Sequence, residues 1–270
     1  MADPADFAVL APVHAGDDPA HFGAAMASVA HAGLPPADFV ICQDGDLPEA
    51  LRSAVTRLVR DSGARVIRNA GPPGLAHNLN CAMSGVRAAW VARVDADDIN
   101  LPGRFAAQAA FLRQNPGVAV VGGRIVEFAP DGTRRRKPMP LSHDAIVRRA
   151  RWRNPINHMT VFFRADAFRA CGGYPTIPLK EDYALWLTMI GRGFRLANLD
   201  QDLVEARLGA GFYGRRAGAH NVASEYALYK LKRDIPAIGG AAAWAAWLAR
   251  TGALAFVRPA RLLYERALRR

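Results

Sequence analysis

A chain of 270 residues with 51% hydrophobic content is long enough to bury one large core, or two joined halves, and to fold unaided. Its three cysteines, Cys42, Cys81 and Cys171, form neither a CxxC pair nor an even set, which argues against a disulfide framework and a zinc site and fits a reducing, cytoplasmic setting. The formal charge of +11 is unevenly divided, with 7 Lys/Arg against 12 Asp/Glu in residues 1–100 and 28 against 12 in residues 101–270. The first half repels a diphosphate unless a divalent cation intervenes, and the second suits phosphates or an anionic membrane surface.

The acidic start, Met1 to Asp6, lacks the basic and apolar regions of a cleaved signal peptide. Phe7 to Val13 is a short apolar run closed by proline and reads as a buried strand. Asp17-Asp18-Pro19 caps a helix in which Phe22, Met26 and Val29 keep helical spacing up to Gly33. Phe39 to Cys42 is a second strand that stops at Gln43-Asp44-Gly45, and residues 48–60 form a helix with Leu51, Val55, Leu58 and Val59 on one face. Ala64 to Arg68 is a third strand, Leu75 to Ala88 a helix, and Ala89 to Val94 a fourth strand ending at Asp95. This alternation predicts an α/β chain with a mainly parallel, Rossmann-like sheet covered by helices, and such sheets bind ligands beyond the carboxyl ends of their strands. The loops expected there are 12–16, 43–46, 69–74 and 95–102.

After Pro102 the pattern becomes mixed: a helix over 103–114, a strand from Val118 to Phe128, an Arg-rich turn from Asp131 to Lys137 and a short helix near 143–151. Met159 to Arg164 reads as a strand, Ala165 to Ala170 as a helical turn, Glu181 to Arg192 as an amphipathic helix and Leu203 to Leu208 as a final strand. No Ser/Gly-rich linker separates this half from the first, and no internal repeat appears. The expected organisation is a donor-binding half over 1–100, an acceptor-binding and catalytic half of the same domain over 101–235, and a basic helical tail over 236–270.

In Arg93-Val94-Asp95-Ala96-Asp97-Asp98, three carboxylates follow an apolar strand within four residues. Such crowding costs free energy that a divalent cation relieves. Alternate residues at a strand end point the same way, so Asp95 and Asp97 are expected to address one site, one at a ribose hydroxyl and the other at the metal. Helix capping by Asp97 or Asp98 is the competing structural reading. Asp44, also at a strand end, can accept from an imide N–H such as that of uracil, although Asp-Gly is equally a common turn. Gly74 opens the helix carrying Asn78 and Asn80, whose polar groups are expected to face the same crevice. His158 precedes a strand and can contact a sugar, or serve packing alone. Arg215 and Arg216 can fold over a diphosphate, or form a solvated basic turn.

Together these residues resemble the family 2 glycosyltransferases of the GT-A fold, in particular the bacterial surface-polysaccharide type similar to amylovoran glycosyltransferases. The resemblance spans roughly residues 7–235. It rests on Ala11-Pro12-Val13-His14, Val40-Ile41-Cys42-Gln43-Asp44-Gly45, Gly74-Leu75 with Leu79-Asn80, the Arg93 to Asp98 run followed by Pro102 and Arg104-Phe105, and Asn154 to Thr160. Gly172-Gly173-Tyr174 and Glu181-Asp182-Tyr183-Ala184-Leu185-Trp186 complete it.

The resemblance implies that Pro12, Val13, His14, Asp44, Gly74, Asn78, Asn80, Asp95, Ala96, Asp97, His158, Arg215 and Arg216 bind a nucleotide-sugar donor, a UDP-sugar by expectation. Asp44 would read the nucleobase and Asp95 approach the ribose. Asp97, with Asp95 beside it, would hold Mn²⁺ or Mg²⁺ at the diphosphate. Asp182 would act as base, with Glu181 beside it, in a single displacement that inverts the anomeric centre. A positioned carboxylate can take the proton of the attacking hydroxyl while the metal offsets charge on the leaving diphosphate. Taken without the family, Glu181-Asp182 reads better as first-turn charge favoured by the helix dipole. The chain lacks the Gln-x-x-Arg-Trp signature of processive synthases, so one sugar per encounter is expected, on a glycan or lipid-linked acceptor.

From Gly239 to Val257 the chain is rich in Ala, Trp and Leu, and five arginines follow among Leu262, Leu263, Tyr264 and Leu268. This composition fits a helix in an anionic membrane interface, over 239–270, or one packed on the domain or on a second copy in a homo-oligomer. A sugar nucleotidyltransferase is disfavoured because no Gly-rich phosphate loop follows the first strand, and a dehydrogenase because no GxGxxG opens the first helix. A catalytically inactive assembly factor of the same fold stays open. Nucleic acid is not expected, since the basic residues lack an aromatic stacking platform.

Overall fold

The computed structural model describes residues 2–129, 131–208 and 219–251, with the side chains of 219–221 excepted. Its first half alternates β1 (Phe7–His14), α1 (Pro19–Val29), β2 (Asp38–Asp44), α2 (Glu49–Ser62), β3 (Arg65–Asn69), α3 (Leu75–Ser84) and β4 (Trp90–Arg93). These four strands are parallel in the order β3-β2-β1-β4. The chain winds outward from β1 to β3 and then crosses back to β4, so the strand order reverses at the carboxyl ends of β1 and β4, the place where sheets of this kind bind ligands.

The second half continues the same sheet. β5 (Ile99–Asn100), α4 (Arg104–Gln114), β6 (Val118–Phe128), β7 (Arg134–Lys137), α5 (His143–Ala150), β8 (Phe162–Arg164), α6 (Ala165–Ala170), α7 (Glu181–Gly191) and β9 (Arg195–Arg207) follow in order. β8 joins β4 antiparallel and leads on through β6 and β9 to β5, while β7 pairs with β6. α8 (Ala219–Arg233) and a helix over residues 240–251, here α9, lie beyond the sheet.

Alternation along β1 and β2 explains the two-sided core. Phe7, Val9, Ala11, Val13, Phe39 and Ile41 pack with buried residues of α1, α2 and α4. Ala8, Leu10, Val40 and Cys42 face the opposite layer, with Leu79 of α3 and Leu185 of α7. Phe7 meets Phe105 and Phe162 at centroid distances of 5.1 and 5.0 Å, which ties the first strand to both α4 and β8.

Several expected bounds shift. The strand expected over Met159–Arg164 begins only at Phe162, because His158–Thr160 forms a 3₁₀ turn in which the Thr160 N–H and hydroxyl both donate to Asn157 O. The helix from Leu75 stops at Ser84, where Gly85 follows. The last strand begins at Arg195 rather than Leu203, since pairing with β6 and ion pairs from Arg124 to Asp202 and Asp200 recruit a polar stretch with weak strand character of its own. The Arg-rich turn contains β7, and α8 was not expected. Gly122 in β6 is fixed by close approach: a Cβ there would lie 2.6 Å from both Asn198 Oδ1 and Ile156 Cγ2, so only glycine lets the 154–160 segment sit against the sheet.

Candidate active site

The carboxyl ends of β1, β2 and β4 bring the expected loops together. At β2, the two oxygens of Asp44 accept from Asn69 Nδ2 (3.0 Å) and from the backbone N–H of Gly74 (2.8 Å). Gly74 adopts φ +132, a conformation that favours glycine, and so turns its N–H toward Asp44. A carboxylate has about four acceptor positions, so Asp44 retains capacity for a ligand donor. At β1, Pro12 is half-buried, Val13 buried and His14 exposed. His14 N–H donates to Asp17 Oδ2 (2.8 Å), and Asp17 raises the His14 imidazole to about 9.

β4 ends at Arg93, so Asp95 and Asp97 lie in a loop rather than on a strand, and strand alternation does not set their directions. The Asp95 carboxylate pairs with the buried Arg93 guanidinium. Asp97 is exposed, Ala96 buried in the core, and Asp98 buried with an oxygen accepting from the Arg207 N–H (2.9 Å). Arg207 Nε donates to Asp97 O (3.3 Å), so the end of β9 is tied to this loop at two points. Desolvation, then Asp95 and Asp17, raises Asp97 above the usual carboxylate range. Burial, with Asp95 and Asp97 beside it, raises Asp98 well above that range. Beneath the loop the buried Arg104 donates from Nη2 to Arg93 O (2.8 Å) and pairs with Asn100 Oδ1, and burial lowers its guanidinium to about 9.

Glu181 and Asp182 open α7, close enough to Arg93 that, against burial, their charges, like that of Asp95, raise its guanidinium. Asp182 Oδ2 accepts from Asn154 Nδ2 (2.6 Å), and Oδ1 from the Tyr183 N–H (2.7 Å). Burial raises both carboxyls; Glu181, with Asp182 also beside it, reaches about 7. His158 Nε2 and the Tyr174 hydroxyl share a 2.8 Å hydrogen bond, and the His158 ring meets Trp186 edge-on at 6.1 Å. Burial, then Arg93, holds His158 well below the usual imidazole range, which keeps it neutral at physiological pH.

Two expected directions are corrected. Asn78 is buried and donates to Cys42 O (2.7 Å), while Asn80 exchanges two hydrogen bonds with the Tyr174 backbone. The Asn78 Nδ2 and both polar atoms of the half-buried Asn80 are thus engaged by backbone groups, while the buried Asn78 Oδ1 has no partner among the described residues. Arg215 and Arg216 lie outside the described residues. Sequence reasoning assigned no site role to Arg93, Arg104, Arg207, Asn154 or Tyr174, and read Asp17 only as part of a helix cap. The available signal was a charged residue, Arg93, ending the otherwise apolar run Trp90-Val91-Ala92.

Among the described residues, no three His, Cys, Asp or Glu side chains converge as a metal cage. Asp97 nevertheless suits a divalent cation that takes its other ligands from a diphosphate and water, the usual coordination of Mg²⁺ in phosphate sites. Its carboxylate is exposed and crowded by like charges that a cation would neutralise.

The sheet order, the carboxylate loop at its reversal and the mixed extension are those of a glycosyltransferase of the GT-A fold. The chain superposes on the mannosyltransferase PcManGT of Pyrobaculum calidifontis, solved with GDP-Man and Mn²⁺, with a TM-score of 0.65 at 18% identity over 99% of this chain and 82% of that one. This chain belongs to glycosyl transferase family 2, whose family model matches residues 12–171. It is 33% identical over 233 residues to the amylovoran biosynthesis glycosyltransferase AmsE of Erwinia amylovora, covering 86% of this chain and 88% of the relative. It is 29% identical over 225 residues to the UDP-Gal:alpha-D-GlcNAc-diphosphoundecaprenol beta-1,3-galactosyltransferase of Escherichia coli, covering 83% and 82%.

Proposed function

We propose that the enzyme moves one sugar from a nucleotide-sugar, a UDP-sugar in the first instance, to a glycan or lipid-linked acceptor in polysaccharide biosynthesis, with inversion at the anomeric carbon. The observation that carries this reading is the position of Arg93. Its buried guanidinium pairs with Asp95 of the carboxylate loop and also feels the charge of Glu181 and Asp182. A donor bound at the strand ends would therefore lie next to a second carboxylate pair facing an incoming hydroxyl.

In this reading Asp44 accepts from the nucleobase, Asp95 orients the ribose, and Asp97 holds Mn²⁺ or Mg²⁺, with Asp95 alongside. Bound there, the cation supplies charge that offsets the departing diphosphate. Asp182, fixed by Asn154 and the Tyr183 N–H, takes the acceptor proton. Glu181, with its value near 7, shares the pocket and sets its charge. The neutral His158 lines the sugar side, held by Tyr174. The donor-binding and acceptor-binding roles divide near residue 100. The named UDP-Gal and diphosphoundecaprenol of the Escherichia coli relative support the UDP and lipid-linked assignments.

No helix among the described residues is long and apolar enough to cross a membrane. The exposed Trp152, Tyr226, Trp244 and Leu248, with Arg153 and Lys230 also exposed, support contact with an anionic bilayer surface. The tail from residue 252 lies outside the described residues. Trp244→Glu should then reduce flotation with anionic liposomes, and unchanged flotation removes the membrane surface from this reading.

A thermal-shift panel of UDP-, GDP- and dTDP-sugars with and without Mn²⁺ tests the donor assignment, because a ligand that binds only the folded state raises apparent stability. A Mn²⁺-dependent rise with UDP-sugars is expected. No rise with any nucleotide-sugar would overturn it.

A further inference from the structure

Two chain segments hold Asp182: the loop after α5, through Asn154, and the first turn of α7, through the Tyr183 N–H. Both rest on the C-terminal helices. Lys180, immediately before α7, places Nζ 2.9 Å from Glu225 Oε1 on α8, and Arg250 Nη2 on α9 reaches the same oxygen at 2.7 Å. Glu225 is only 3% exposed. The buried Lys232 of α8 donates to Arg151 O (3.1 Å) and sits 4.7 Å over the Tyr183 ring. The Tyr183 hydroxyl donates to Ala150 O (2.6 Å), and Arg250 Nη1 to Trp152 O (3.2 Å). The helices therefore grip both sides of the Asp182–Asn154 hydrogen bond.

The entry to α7 is not a relaxed turn. Leu179 has φ +62, a left-handed conformation that leucine rarely adopts, and its side chain is half exposed. Such backbone persists where surrounding contacts over-determine it. The contact next in sequence is the Lys180–Glu225 ion pair. Burying Glu225 and most of Lys180 carries a desolvation cost that apolar residues in the same space would avoid, so this cluster is poorly explained as a stability device.

We propose that Glu225, acting with Lys180 and Arg250, is a positioning residue of the transfer reaction: through this enclosed triad the C-terminal helices set the place of the Asp182 carboxylate. The inference rests on the reading of Asp182 as base. The charged and titratable groups around the Glu181–Asp182 pair are Arg93 from β4, Tyr174 from the preceding loop, Lys180 and Tyr183 from α7, and Glu225 and Arg250 behind Lys180. Removing the Glu225 charge leaves two cations uncompensated and favours ionised Asp182, whereas removing the Lys180 charge disfavours it.

The test uses the full chain with UDP-galactose and Mn²⁺, following nucleotide release against pH, and hydrogen–deuterium exchange without ligand. Glu225→Gln should lower kcat about 10- to 100-fold with KM for UDP-galactose within about twofold, since small misplacement of a reacting group has effects of this size. The acidic limb of kcat should move to lower pH in Glu225→Gln and to higher pH in Lys180→Met, with Lys180→Arg restoring the wild-type limb. Exchange should rise in segments 150–156 and 179–191 of Glu225→Gln and stay unchanged in 75–100. Limbs that move together or not at all, or exchange unchanged in both segments, would overturn the proposal. Should Asp182→Asn retain wild-type turnover, the base assignment fails separately, and the exchange data still decide whether the triad braces these segments.

Discussion

The two carboxylate groups of the site are held by different partners. At the end of β4, Asp95, Asp97 and Asp98 are crowded together, so like charges add to desolvation in raising Asp97 and Asp98, while Arg93 pairs with Asp95, Arg207 ties down the loop and Asp97 is left exposed. At the start of α7, Glu181 and Asp182 are managed by desolvation, with an amide and a backbone N–H rather than a salt-bridged cation on Asp182. On the proposed reading the exposed Asp97 awaits a cation among like charges, whereas Glu181 and Asp182 are poised to hold or take a proton.

Arg93 is where the two regions meet, so its loss should break both. Arg93→Met leaves Asp95 without its buried partner and should lower stability by about 3–5 kcal/mol, read by urea unfolding. A loss below about 1 kcal/mol would show that the regions are independent. Asp97→Asn should weaken UDP binding in Mn²⁺ about 10- to 100-fold, the scale of one charge-assisted contact, while leaving binding without metal unchanged in calorimetry. Its neighbour should behave differently. Asp98→Ala strands the Arg207 N–H and should cost about 1–3 kcal/mol of stability, with Asp98→Asn milder because an acceptor remains.

The smallest effect is in pH. Glu181 sits near 7 in the folded chain against an ordinary 4.5, so the folded state holds this proton more tightly than the unfolded state. The stability it contributes is complete below about 4.5 and is lost as pH rises through 7, and the raised Asp97 and Asp98 act in the same direction. The Tm should therefore fall from pH 5 to pH 8 without metal, and Mn²⁺ should raise it more at pH 8 than at pH 5. Equal increments at both pH values would remove like-charge crowding as the reason for metal binding.

The loops at the strand ends of the first half were largely legible in the sequence because each piece is local. A strand, its terminal carboxylate and the next helix are contiguous, so Asp44, Gly74 and the Asp95 to Asp98 run could be placed before any coordinates. The directions of Asn78 and Asn80 were not legible, since which face of α3 met the sheet depended on packing with β2 and the loop at Tyr174. The surroundings of Asp182 were less legible still. Asn154, Tyr174, Asp182, Glu225 and Arg250 are brought together across almost a hundred residues, and no periodicity encodes such meetings. The early start of β9 belongs to the same class, because its partner β6 supplies the reason for it.

The central claim is that a carboxylate across Arg93 from the donor loop performs the proton transfer. The most direct measurement compares Asp182→Asn with the wild-type enzyme in two assays, calorimetric binding of the UDP-sugar with Mn²⁺ and transfer of its sugar. Donor affinity within about twofold, with turnover lowered about 10²- to 10⁴-fold, is the expected result for loss of a general base. Turnover within a few-fold of wild type, with donor binding intact, would contradict it.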